Sequence, residues 1–337
     1  MKNIFFAKDS NKRLIAYAGL IFVIIIWGLY PIFAADLLTC YSPSIFTFVS
    51  SLISGIALLV ICIPRLKLLD LSYFKVAVPT GCFFALANLF QKIGLPYTTP
   101  TQYAFLENLS CVVVPILLFI FIRKKTGVLT IAASVLCLAG CFVLSGLDLS
   151  SGGVAFGKGE ILCALAGVFY GVNIAATGAY AKKLYAPLYV MIQMWMNVAV
   201  SLISAVVLNR VQVNGAPIEQ IRFLWEWKRL LFLVLIVLSV SALGWVIRTA
   251  ALKYVNASVV AIMMPFSAAI TGVCDVVLGT QAFTLSLILG GTLVVVSSIL
   301  SSIDDVKRDD RKRATDKTDE KDDKSEDGGG NGTLDTD

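Results

Sequence analysis

Apolar stretches close to 20 residues long follow one another along almost the whole of this chain. That recurrence limits its folding more than any other feature. Twenty residues at 1.5 Å each cross the hydrocarbon core of a bilayer as one helix. Of the 337 residues, 58% are hydrophobic and only 15% charged, with a mean hydropathy of +0.83. Soluble domains carry roughly 25% charged residues, and no single soluble core could hide so many such runs. Turn and charge signals divide the sequence into spans at 14–35, 44–63, 74–95, 101–122, 127–146, 159–180, 187–208, 230–252, 257–278 and 283–302. The dividing signals include Tyr41-Ser42-Pro43, Pro64-Arg65, Arg123-Lys124-Lys125, Lys182-Lys183 and Gly279. The fold class expected is an all-α polytopic membrane protein of ten transmembrane helices. The first run, from Leu14, is longer than a signal-peptide core and lacks a small-residue cleavage site, so it reads as a permanent span.

Lys and Arg gather in alternate connections. Lys12-Arg13, Arg65 and Lys67, Arg123 to Lys125, Lys182-Lys183 and Lys253 fall on one side, with the 209–229 loop as an exception on the other. The positive-inside bias then places both termini in the cytoplasm, and the membrane expected is the plasma membrane. Trp225 and Trp227, beside Lys228-Arg229, read as interfacial anchors. The net charge of +6 divides unevenly: residues 1–303 hold 20 Lys/Arg against nine Asp/Glu, and residues 304–337 eight against 13. The organisation expected is a short N-terminus (1–13), a five-helix unit (14–146), an external linker (147–158), a second five-helix unit (159–302) and a charged, disordered tail (303–337). The tail has too few apolar residues to offset the entropy of ordering it.

Several chemistries are disfavoured. There is no histidine, and the eight cysteines form no CxxC pair, so a zinc site, a disulfide framework or a histidine-based triad is not expected. Gly152 to Lys158 spells a near-match to a phosphate loop. However, Gly159 stands where Ser or Thr is required and no strand precedes it. The basic body suits anionic lipid headgroups rather than nucleic acid. No cofactor is expected; the coupling ion is left open by the sequence, a proton being one candidate.

The strongest organisational signal is duplication. At an offset of 157, Leu95-Pro96-Tyr97 falls on Leu252-Lys253-Tyr254, Ala104 on Ala261, Gln91 on Arg248 and Ala133 on Gly290. At 143, Trp27-Gly28 falls on Tyr170-Gly171. The extra loop at 209–229 absorbs the difference. Five spans per unit is an odd number, so the second unit is inverted relative to the first. Inverted repeats let two pseudosymmetric halves open a central site to alternate sides, the behaviour of secondary transporters.

The residues quoted so far, together with Pro115, Pro265 and Val255-Asn256-Ala257-Ser258, resemble the drug/metabolite transporter superfamily and its ten-span EamA-type members over roughly residues 14–302. Relatives commonly close spans 4 and 9 with a Gly-Glu pair, where this chain reads Lys124-Lys125 and Gly279-Thr280-Gln281. The resemblance implies a central cavity lined mainly by spans 1, 3, 4, 6, 8 and 9. It also implies substrates such as amino acids, nucleotide-linked metabolites or drugs.

Ionisable side chains inside a bilayer are costly, and they face a cavity or a partner. Four qualify: Lys92, Glu107, Arg248 and Asp275. Lys92 and Asp275 lie roughly 6 Å inside the outer boundary, Glu107 roughly 10 Å, and Arg248 roughly 9 Å inside the inner one. The functional reading makes Arg248 and Lys92 anchors for a substrate carboxylate or phosphate, with Glu107 or Asp275 meeting an amine or carrying a proton. The alternative is a snorkelling Lys92 and a structural pair. Asn88 and Gln91 share a face of span 3; Asn108 and Asn173, on spans 4 and 6, would join them in the family architecture. Interhelical bonding is the other role open to these and to Gln193 and Asn197. Trp27, Tyr30, Tyr103, Tyr170 and Trp245 could stack on a substrate or simply pack. The expected partners are a small-molecule substrate and the lipid bilayer, with monomer and homodimer both open. A lipid-modifying membrane enzyme or a non-transporting sensor are the readings of other classes.

Overall fold

The computed structural model describes residues 2–94, 97, 106–123, 126–144, 157–210, 212–213, 216–217, 219–223, 226–279 and 284–326. The apolar runs are helices: α1 Lys2–Cys40, α2 Pro43–Cys62, α3 Leu71–Gly94, α4 Ser110–Ile122, α5 Val128–Leu144, α6 Lys158–Tyr180 and α7 Ala186–Arg210. They continue as α8 Trp227–Ala251, α9 Ala257–Val277 and α10 Leu285–Glu326. Eight of these helices contain a stretch long and apolar enough to cross a membrane. The other two, α4 and α5, have 13 and 17 residues. One two-residue antiparallel pair, Gln212–Val213 with Ala216–Pro217, lies in the long loop between α7 and α8.

The punctuation is chemical. Pro43 opens α2, where its missing N–H costs nothing. Asp70 accepts from the Ser72 N–H at 3.0 Å and the Tyr73 N–H at 3.3 Å at the start of α3. Asn256 accepts from the Ser258 N–H at 3.4 Å at the start of α9. Gly279, at φ 72°, supplies the left-handed residue after α9. Helix α9 is interrupted at Met264-Pro265, and α8 loosens to π geometry over Leu238–Leu243.

The ends of two helices depart from expectation. α1 starts well before Leu14. More substantially, the expected disorder from residue 303 is corrected, because α10 runs on to Glu326. From 303 to 326 there is neither Gly nor Pro, and Lys, Arg and Glu are good helix formers. Acids also precede bases by four at 309/313 and 320/324 in the sequence. A helix already nucleated within the bundle therefore extends without a second nucleation cost. Residues 327–337 lie outside the described residues.

Large apolar side chains cover the outside: Ile15, Ile21, Phe119, Val135, Ile203 and Leu235 are all about half exposed or more. A water-soluble surface does not carry apolar area of that extent, whereas a lipid-facing one requires it. The protein is a multi-pass membrane protein.

Helix packing follows a pseudo-two-fold scheme. Contacts of α1 with α8 and α9 are mirrored by those of α6 with α3 and α4. Likewise α2 on α8 is mirrored by α7 on α3, while α2–α7, α4–α9 and α5–α10 are their own counterparts. Individual atoms keep the register. A Cβ on Gly28 would meet Ile270 at 2.7 Å and the Ser267 carbonyl at 2.8 Å; one on Gly171 would meet Val113 at 2.7 Å and the Ser110 Cα at 3.6 Å. Ser110 and Val113 advance to Ser267 and Ile270 by the same 157 residues that carry Gln91 to Arg248. The two glycines are the same closest-approach point, used once in each unit.

The bundle has two end faces. On the terminal face, Arg13 near the start of the first span pairs with Asp305 of α10 at 2.5 Å, Tyr17 donates to the same carboxylate at 3.2 Å, and Thr130 of α5 donates to Asp304 at 2.5 Å. There too the Arg65 guanidinium sits 4.4 Å over Tyr185, joining the α2–α3 and α6–α7 turns. The end of α6 thus lies on the face where α1 begins, so the two units run in opposite senses. On the loop face, Glu219 of the long loop accepts from the Ser44 N–H at 2.7 Å and the Ser44 hydroxyl at 2.6 Å. Arg229 meets Cys40, and the Tyr41 and Phe223 rings lie 5.4 Å apart.

Candidate functional site

Between the faces, α3, α6 and α8 bring several of the sequence candidates together. Arg248 is only 2% exposed. One helical turn earlier, Trp245 offers its ring to the guanidinium at 4.7 Å, a desolvated cation–π contact. Both terminal nitrogens of Arg248 donate to Asn173 Oδ1 on α6, at 3.4 and 3.5 Å. The other end of the Asn173 amide donates to the Thr80 carbonyl at 3.0 Å.

Aromatic rings continue from there. Trp245 stacks on Tyr170 at 6.1 Å and 19°, meets Phe84 edge-on at 4.5 Å, and lies 4.8 Å from Trp27. Trp27 is fixed by its indole N–H, which donates to the Val240 carbonyl at 3.1 Å. Val240 lies in the π segment of α8, where irregular geometry presents a carbonyl sideways. The Tyr170 hydroxyl donates to Gln91 Oε1 at 3.0 Å, and Gln91 Nε2 donates to Glu107 Oε1 at 2.9 Å. The buried Lys92 ammonium lies 5.4 Å over Tyr30 and 5.7 Å over Phe46, within electrostatic range of Glu107.

The arrangement is polarised. A cation held only by neutral partners among the described residues stands at one end. A carboxylate with a nearby ammonium stands at the other, and stacked rings lie between. Arg248, Asn173, Trp245, Trp27, Tyr170, Gln91, Glu107, Lys92 and Tyr30 belong to this assembly. Asn88 lies beside it, donating to the Phe84 carbonyl at 3.0 Å, which is a bond within its own helix. Asn108 is in the turn just after Glu107. Asp275 is half-buried near the end of α9. Tyr103 lies outside the described residues.

The sequence reading missed Thr80, Thr177 and Tyr189, whose hydroxyls join Gln193 in one cluster behind Asn173. Tyr189 is 2.6 Å from Thr80 Oγ1 and 2.8 Å from Thr177 Oγ1, and Gln193 donates to Tyr189 at 3.0 Å. Lone Thr residues in apolar helices usually bond their own preceding turn, as Thr80 does to the Val76 carbonyl at 2.7 Å. Their second partners leave no pattern in the sequence. Asn197 takes the interhelical role instead, donating to Ser51 at 2.6 Å.

Comparison with known proteins now decides the family. The model of the EamA-like transporter family matches residues 14–146 and again 157–303. The chain belongs to the EamA-like transporter family. An uncharacterized transporter of Archaeoglobus fulgidus is 30% identical over 198 residues, which is 58% of this chain and 59% of that relative's length. A crystal structure of a protein shares the fold, with a TM-score of 0.66 at 15% identity over 88% of this chain and 98% of its own. At that identity the likeness is one of architecture. The family model meets the chain twice, once in each half.

Proposed function

We propose that this EamA-like protein is a ten-span, gradient-driven carrier of a small polar metabolite, with an amino acid or related zwitterion or anion as its substrate. In this reading α4 and α5 also span the bilayer. The two inverted units open the central assembly alternately to each side of the plasma membrane. Both termini are cytoplasmic, because the terminal face carries Arg13, Arg65, Lys67, Lys182 and Lys183.

The observation that carries the proposal is Arg248, a 98% buried guanidinium whose polar partner among the described residues is a neutral amide at 3.4–3.5 Å. A buried charge without a counter-ion is expensive, and such groups persist in membranes where they serve transport. A substrate carboxylate supplies the missing charge. Glu107, held by Gln91, supplies the acceptor for a substrate amine, and the Trp245–Tyr170 stack supports the apolar part.

The test is uptake into proteoliposomes with a labelled panel of amino acids, nucleotide-linked metabolites and organic cations. Saturable uptake of an amino acid or organic anion, suppressed by the unlabelled compound, is the expected outcome. Uptake confined to organic cations, or none with demonstrably folded protein under any imposed gradient, would count against the proposal.

A further inference from the structure

Among the described residues, the partners that hold Arg248 are neutral: the Asn173 amide and the Trp245 ring. Asn173 cannot turn its amide over. Its nitrogen is committed to the Thr80 carbonyl at 3.0 Å, so its oxygen must face the guanidinium. Were it reversed, donor would face donor. Behind Asn173 the hydroxyls form a directed relay. Thr80 donates to the Val76 carbonyl at 2.7 Å and so accepts from Tyr189 at 2.6 Å, and Tyr189 in turn accepts from Thr177 at 2.8 Å. Gln193 donates to Tyr189 at 3.0 Å and to Thr80 at 3.2 Å. Each proton named has an acceptor, and every group is neutral. The relay ties α3, α6 and α7 together, and Asn173, bonded to the Thr80 carbonyl beside it, turns its oxygen to Arg248.

Two bonds at 3.4 and 3.5 Å are at the weak end of hydrogen bonding. They orient the guanidinium without satisfying its charge. We propose that Asn173 is a positioning residue for Arg248, and that the neutral Thr80–Tyr189–Thr177–Gln193 relay reserves that guanidinium for the carboxylate of a substrate. This rests on the carrier reading for its purpose but not for its test. It makes one distinctive demand. A carboxylate placed at residue 173 must occupy the guanidinium and expel the substrate, although it differs from the native amide by a single group.

The experiment is ligand-induced thermal stabilisation of the full chain in detergent, with lactate, L-alanine and L-glutamate as probes and their matched carboxamides as controls. For the wild type, at least one carboxylate is expected to bind at least tenfold more tightly than its carboxamide. Asn173→Asp should weaken that carboxylate at least tenfold; its unliganded midpoint is read alongside, because the new carboxylate gains Arg248 but loses the bond to the Thr80 carbonyl. Asn173→Ala should weaken it about threefold or more and keep the preference over the carboxamide; this variant decides the matter if the aspartate variant does not fold. Wild-type affinity in both variants, or no carboxylate binding by folded wild type, would overturn the inference. Carboxylate binding without flux in proteoliposomes would sink the carrier reading and leave this one standing. Flux of an organic anion that carries no carboxylate, without carboxylate binding, would do the reverse.

Discussion

The Arg13–Asp305 pair ties the first helix to the last, and its energetic weight can be bounded. The two side chains are 13% and 14% exposed and meet at 2.5 Å. With charge centres about 4 Å apart and an effective dielectric near 20, the gross attraction is roughly 4 kcal/mol. Desolvation and the ordering of a long side chain remove most of that, while fully exposed pairs retain only about 0.2–1 kcal/mol. At this intermediate burial the coupling should be about 1–2 kcal/mol, helped by the Tyr17 hydroxyl at 3.2 Å from the same carboxylate. The perturbation is a double-mutant cycle on Arg13→Gln and Asp305→Asn, together with the exchange Arg13→Asp/Asp305→Arg. The assay is thermal unfolding of the detergent-solubilised protein. Each single change should destabilise, the double change should cost less than the sum, and the exchange should recover part of the loss. Strict additivity of the two single changes would refute the coupling. Equal damage from the exchange and the single changes would show that the geometry, with Thr130 on the neighbouring Asp304 at 2.5 Å, does not accept the reversed pair.

Further outcomes can be checked at other sites. Arg248→Gln should raise the KM for a carboxylate substrate roughly 10- to 150-fold, since a charge-assisted hydrogen bond is worth about 1.5–3 kcal/mol; an unchanged KM would remove Arg248 from the site. Gly28→Ala and Gly171→Ala should each destabilise by about 1–3 kcal/mol through overpacking, as read by thermal unfolding. Glu219→Ala should cost about 1–2 kcal/mol and raise amide exchange over residues 43–47, because two bonds to Ser44 are lost. The Ser72 hydroxyl and then the Tyr73 and Ser72 amides hold the Asp70 carboxyl below its ordinary value. Its folded pKa being depressed, its contribution is present at neutral pH and is lost as pH falls through that lowered value. Amide protection at the start of α3, taken relative to the intrinsic exchange rate at each pH, should therefore fall only in acid, and in Asp70→Asn at every pH.

The helices and their alternating order were legible because bilayer thickness and polar punctuation leave little freedom. The duplication was legible too: offsets of 143 and 157 pair the Gly28 contact with the Gly171 contact at the level of single side chains. The π segment at Leu238–Leu243 was not, since nothing in Leu-Ser-Val-Ser-Ala-Leu departs from an ordinary apolar helix. It lies against α1 and α2, and its Val240 carbonyl takes the Trp27 indole N–H, contacts that come from distant sequence. The α10 extension was misjudged for the opposite reason: composition argued for disorder, and local helix propensity carried by a nucleated helix won. In the site, charged residues announced themselves by their cost in a membrane. Thr80, Thr177 and Tyr189 did not, because hydroxyls are cheap there and commonly satisfied within their own helix.

What the two units share and where they differ bears on the substrate. Positions related by the repeat kept their scaffold role at Gly28 and Gly171 and an aromatic at Trp27 and Tyr170. They diverged at Gln91 and Arg248, at Asn88 and Trp245, and at Tyr30 and Asn173. Each diverged pair puts one member at the Arg248 end of the assembly and the other at or beside its Glu107–Lys92 end. A pseudo-two-fold frame with identical residues at these positions would present the same chemistry to both halves of a bound molecule. This one presents a guanidinium to one half and a carboxylate to the other. In the carrier we propose, such a frame would hold a dipolar substrate in one orientation, with its negative end at Arg248. Reversing it would set carboxylate against carboxylate and amine against guanidinium at once. Exchanging the diverged pair, with Gln91→Arg combined with Arg248→Gln, should then not restore the affinity lost in Arg248→Gln alone. The arginine would stand beside Glu107 at 2.9 Å from the bonded position, where an internal acid neutralises it. Restored affinity would mean that charge alone, and not its place in the frame, selects the substrate.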